Sequence, residues 1–161
     1  MPTDEALRAE LVAMADADRA SGRVTSDERH AARLWEILDD YECWPGRRLV
    51  GDDGAEAAWR VAQHALFDPG LQRRCLEMLE LAVDAGDAPA THYAFLVDRV
   101  CMADGRDQVY GSQFVTSEDG ATVVPFAIAD PAGVDDRRRR VGLPPLAEQT
   151  RAMRARYFRT R

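Results

Sequence analysis

Apolar residues recur at helical spacing through most of this chain, and they predict the first five elements. Leu7, Leu11, Val12 and Met14 predict a helix over about 3–21, stopped at Ser21-Gly22. Thr25 with Glu28 reads as a capping box for a second helix, over about 26–41 with Leu34, Trp35 and Leu38 inside. From Cys43-Trp44-Pro45-Gly46 to Gly54 the pattern reads as loop, and a third helix is expected over about 55–67. Asp68-Pro69 supplies an N-cap and a first-turn proline for a fourth, over about 69–85, with Leu71, Cys75, Leu76, Leu79 and Val83 inside. A fifth, over about 89–104, ends near Gly105.

After Gly105 the period changes. The runs from Gln108 to Val115 and from Ala121 to Ile128 are rich in β-branched and aromatic residues, with Ser117-Glu118-Asp119-Gly120 between them. They predict a hairpin over about 107–128. Alternation places Gln108, Tyr110, Ser112 and Phe114 on one face of its first strand and Val109, Gly111, Gln113 and Val115 on the other. Helices over about 134–141 and 146–159 follow, separated by Gly142 and the Pro144-Pro145 elbow. The expected fold is mainly α with a small antiparallel β-hairpin (α+β), a compact single-domain helical bundle over 1–161.

Length and composition agree: 161 residues, 46% hydrophobic and 30% charged, are enough for one domain with a real core. No apolar run approaches the ~20 residues that span a bilayer, and the acidic N-terminus lacks a signal-peptide pattern, so a cytoplasmic protein without a membrane partner is expected. A net charge of −7 argues against nucleic acid. Lysine and asparagine are both absent. Their codons all begin AA, which points to a high-GC bacterial gene. Without lysine there is no Schiff base, lysine-dependent phosphate loop or lysine general base. Arginine can clamp an anion but not shuttle a proton, so proton transfer falls to His30, His64, His92, carboxylates, tyrosines or cysteines. The widely spaced Cys43, Cys75 and Cys101 suggest no metal site, and Cys75 and Cys101 read as buried free thiols.

Four polar segments interrupt the apolar pattern. At about 100° per residue, Gln63 falls on the apolar face with Trp59 and Leu66, and His64 at its edge. A glutamine on a core face needs a hydrogen-bond partner, and a boundary histidine reaches both interior and solvent. Asp98-Arg99 sits in a helix that is apolar on nearly every side. Neighbours on a helix point about 100° apart, so each needs another partner. Asp98 is expected to orient His64 or accept from Tyr110, and Arg99 to hold Asp130, Asp135 or Asp136. Gly111 marks a close approach, either of a ligand or of packed neighbours. Each segment equally fits an internal network of paired polar groups.

The order Trp44-Pro45, Gln63-His64, Asp98-Arg99, Gln108-x-Tyr110-Gly111-Ser112-Gln113, then Asp-x-x-Arg with Gly142-Leu143, resembles a bacterial family catalogued as domain of unknown function 6624. Ser112 stands where that pattern has threonine, and the family's early Asp-Gln-x-x-Arg element is met only loosely by Asp16 to Arg19. The resemblance implies that these segments belong together and brings no activity.

From the residues we expect a cofactor-independent acid/base enzyme acting on a small polar or anionic molecule, as a hydrolase, lyase or cyclase, with a role in specialised metabolism. His64 is the expected general base, with Asp98 orienting it and Tyr110 relaying a proton. Gln63, Arg99, Gln108, Ser112, Gln113, Arg137 and Arg138 are the expected substrate-binding residues. Ser112 lacks the Gly-x-Ser-x-Gly context of a nucleophile elbow. No metal is expected, and the oligomeric state stays open. The alternative is a non-catalytic small-molecule-binding or protein-interaction module whose polar segments are structural.

Overall fold

A computed structural model describes residues 1–160, which contain seven α-helices and one two-stranded sheet. The helices are α1 (Glu5–Ala20), α2 (Glu28–Tyr41), α3 (Arg47–His64), α4 (Pro69–Asp84), α5 (Ala90–Ala103), α6 (Val134–Arg140) and α7 (Leu146–Arg159). The strands are β1 (Phe114–Thr116) and β2 (Val123–Pro125), paired antiparallel with Val115 opposite Val124. The described residues form two compact units, Met1–Leu96 and Val97 onward, with the boundary inside α5.

In the first unit α1, α2 and α4 all pack on α3. Leu11, Leu34, Ile37, Leu38, Leu71 and Leu79 are fully buried in one cluster, each contributing ~1.5–3 kcal/mol by leaving water. The chain ends of these helices follow local chemistry. Asp4 caps α1 by accepting from the Leu7 N–H at 2.8 Å, and Asp68 caps α4 through the Leu71 N–H at 2.9 Å, with Pro69 in the first turn. Gly22, Gly105 and Gly142 follow α1, α5 and α6 in the left-handed conformation that glycine tolerates.

Three local expectations change. The Thr25–Glu28 capping box does not form: Asp27 caps α2, accepting from the Arg29 N–H at 2.8 Å, while the Ser26 hydroxyl donates to the Val61 carbonyl at 2.9 Å. The carboxylate is the stronger acceptor at a helix N-terminus, so it takes the cap. The expected loop before Gly54 holds the first turn of α3 instead, which starts at Arg47 and kinks at Gly51 (φ 73°, ψ 172°). Apolar periodicity is too sparse to reveal that turn, and Gly51 hides its continuity. The hairpin is much shorter than 107–128, and residues 108–113 are not strand.

The second unit is built differently. Its buried apolar residues are few, chiefly Val100, Cys101, Val123 and Val134, and they share the interior with Asp98, Gln108, Ser112, Gln113 and Arg138. Polar side chains therefore organise this unit.

Candidate functional site

Most of the expected site residues converge on the loop 108–113. Asp98 is completely buried on α5 and its carboxylate accepts three backbone N–H groups: Val109 at 2.7 Å and Tyr110 at 2.9 Å on Oδ1, Ser112 at 2.8 Å on Oδ2. The carbonyls of the same loop are held from the other side. Arg137 Nε donates to the Val109 carbonyl at 2.9 Å, and Arg138 Nη1 to that of Tyr110 at 2.7 Å. Arg138 also reaches the Pro144 carbonyl at 2.6 Å and the Gln149 side-chain oxygen. Burial pulls its guanidinium below the ordinary arginine range, opposed by Asp135 and Asp98.

Gln108 completes the arrangement. Its fully buried amide donates to the carbonyls of Gln113 at 3.0 Å and Phe126 at 2.8 Å, and accepts from the Gln113 N–H at 3.0 Å. The Gln108 backbone bridges to Ile128 while its side chain takes the Gln113 N–H and the Phe126 carbonyl, so antiparallel pairing stops short of this loop. Gln113 in turn donates to Ser112 Oγ at 3.0 Å. At Gly111 (φ 66°) a Cβ would lie 2.8 Å from Ile128 Cδ1 and 3.0 Å from Leu146 Cδ1, so packed side chains explain this glycine. Tyr110 is half-buried, and desolvation, reinforced by Asp98, raises its phenol above the usual range.

Arg99 stands apart. Asp130 pairs with Arg137 and Asp136 with Arg139, while Asp135 accepts the Leu146 N–H, so none of these meets Arg99 as expected. Its Nε is buried without a hydrogen-bond partner, and desolvation lowers its pKa.

Gln63 and His64 belong to the first unit. Gln63 is buried as expected, its backbone carbonyl accepting from Gln72 Nε2 at 3.3 Å and its side-chain Oε1 unpartnered. His64 is exposed at the end of α3 and lines a cavity of about 230 Å³ with Asp18, Arg19, Arg23, Ser26 and Arg60. The walls are tied together locally. The Ser26 N–H donates to the His64 carbonyl at 3.0 Å, and the Asp27 N–H to Asp18 Oδ1 at 3.0 Å. His30 Nδ1 lies 2.8 Å from the same Asp18 oxygen. An ionised carboxylate only accepts, so Nδ1 carries the proton of that bond and Nε2 is left as the ring's second polar atom. The other Asp18 oxygen is buried without a hydrogen-bond partner. Arg19 pairs outward with Asp16, Arg23 with Asp27 at 3.4 Å and Arg60 with Glu56 at 2.6 Å. Each guanidinium keeps further N–H donors beyond its pair.

The sequence reading named His30 only among the general proton-transfer candidates, and it missed Asp18 and the three arginines of this cavity. The one signal was an acidic residue in the last turn of α1, where the helix dipole disfavours it. Among the described residues no group of three His, Cys, Asp or Glu side chains is placed to hold a metal ion, and no helix is long and apolar enough to cross a membrane.

Fold and contacts define a mainly α protein in which a buried aspartate and two arginines clamp one loop. The chain belongs to the family described as "Family of unknown function (DUF6624)", whose model matches residues 17–159. No curated protein and no solved structure matches it.

Proposed function

We propose that this protein is an acid/base enzyme acting on a small anionic molecule bound in the His64 cavity. The observation that carries this is the composition of that cavity: an exposed imidazole, three arginines, and a buried Asp18 oxygen with no partner, around about 230 Å³. Arg19, Arg23 and Arg60 bind a carboxylate or phosphate, and Asp18 accepts from a hydroxyl or amine of the same molecule. His64 takes up or returns the proton of the reacting group, as hydrolysis, elimination or cyclisation requires. His30 holds the other oxygen of Asp18 in place. Asp98, Gln108, Arg137 and Arg138 hold the 108–113 loop of the second unit, which carries Tyr110, Ser112 and Gln113. The residues supply anion binding and proton transfer without a cofactor.

We place the protein in the cytoplasm of a high-GC bacterium, in specialised metabolism, with a small molecule as its partner rather than nucleic acid or membrane. The missing lysine and asparagine and the net charge of −7 support this placement. A non-catalytic binding or interaction module is the alternative. It is favoured by the way the Asp98 and Gln108 side chains are spent on backbone groups.

The test is a panel of small hydroxylated carboxylates and phosphates, scored by thermal shift and then by proton NMR for turnover. We expect a binder that is consumed, with His64→Gln slowing turnover by ~100-fold or more while binding changes little. Equal turnover by His64→Gln would remove His64 from the chemistry. Binding without turnover would select the alternative.

A further inference from the structure

Trp44 plays no part in the site above, yet it lines a separate, larger cavity. This cavity, about 450 Å³, is floored by Leu49, Met78, Leu81 and Ala82. That volume is in the range of small-molecule sites. Two of its lining residues carry a buried donor without a partner. Trp44 is 3% exposed, and its indole Nε1–H has no hydrogen-bond partner. Arg74 has a buried Nε–H without a partner, its guanidinium reaching Asp39 only at 3.8 Å. The other two indoles of the chain are satisfied, Trp35 by Asp68 at 2.9 Å and Trp59 by the His92 carbonyl at 3.0 Å.

The wall is also preformed. The Gly46 N–H donates to the Trp44 carbonyl at 2.8 Å, and Asp87 takes the N–H groups of Arg47 at 3.0 Å and Arg48 at 2.9 Å. A Cβ at Gly46 would lie 2.2 Å from Asp87 Oδ2, so the turn and the Asp87 loop are in direct contact. An unmatched buried donor is costly, and a rigid indole cannot turn away to relieve that cost. The rim carries Glu42, Glu77 and Asp87 against the single Arg74, which disfavours an anion.

We propose that this cavity binds a small uncharged molecule with an apolar body and a carbonyl oxygen, the oxygen accepting from Trp44 Nε1–H and Arg74 Nε–H. The proposal is independent of the reaction at His64.

Three probes with the same tail and different heads test it: hexanamide, hexanoate and hexylamine, titrated into 15N-labelled full-length protein. Hexanamide at ~10 mM is expected to move the Trp44 indole N–H resonance downfield while those of Trp35 and Trp59 stay put, as suits a site of millimolar affinity. Trp44→Phe keeps the aromatic wall and removes the donor, and is expected to weaken hexanamide binding about five- to tenfold by ligand-observed NMR. The proposal is overturned if the Trp44 resonance stays fixed, if hexanoate or hexylamine binds as well as hexanamide, or if folded Trp44→Phe binds it unchanged.

Discussion

Asp98 shows how one side chain can replace a stretch of secondary structure. Its two oxygens satisfy three consecutive-region amides that would otherwise be buried donors, at 2.7, 2.9 and 2.8 Å. Removing it leaves those amides without an acceptor and takes away one of the two carboxylates, Asp135 being the other, that offset the burial of Arg138. We therefore expect Asp98→Ala to cost about 3–5 kcal/mol in urea denaturation. A loss below about 0.5 kcal/mol would mean that the loop holds itself. The same anchor predicts slow hydrogen exchange at the Val109, Tyr110 and Ser112 amides although they lie outside any helix or strand. In Asp98→Asn, exchange at these three is expected to rise above that of β1. At this scale the sequence had much to say: the apolar run around Asp98, the buried Gln63 and the close approach at Gly111 were all readable from neighbours alone. The partner of Asp98 was not, because backbone amides carry no sequence signature.

At the scale of elements, α3 and α5 meet through an aromatic cluster. The His92 ring stacks on Trp59 at 4.2 Å and 6°, with Phe95 edge-on to Trp59 at 5.8 Å. Burial lowers the His92 pKa from the ordinary histidine range, only partly offset by Glu56. The folded state therefore holds the ring neutral while the unfolded chain binds a proton more readily. Between those two pKa values stability rises with pH: the contribution is complete above the ordinary histidine range and is lost as pH falls through the folded value. Melting temperature is expected to fall from about pH 7.5 to about pH 5.5, and the gap between wild type and His92→Gln to narrow over that window. A gap that stays constant would show that the stack does not titrate. The bounds of α5 were readable to within a residue, whereas α3 begins at Arg47 rather than 55 and ends at His64 rather than 67. The extent of the hairpin was not readable, because the Gln108 side chain takes the Gln113 N–H and the Phe126 carbonyl, the two groups that would have bonded to each other in the next strand pair.

For the molecule as a whole, the two units are held by different physics: a large apolar cluster in the first, buried polar contacts in the second. Neither relies on ligating clusters among the described residues, so a metal chelator is expected to leave the melting temperature unchanged. A fall of several degrees would reveal a bound ion. The sequence by itself determined the helical class, the order of elements, most helix ends and the burial of Gln63 and Asp98, because periodicity, caps and glycine conformations are local. Tertiary structure decided what those polar groups touch. It set Asp98 and two arginines on one loop's backbone. It put Asp18 and His30 beside the cavity of His64, and left Trp44 with a donor unmatched. Such partnerships join residues far apart in the chain, and a charge or an amide in a sequence does not say which distant group will satisfy it.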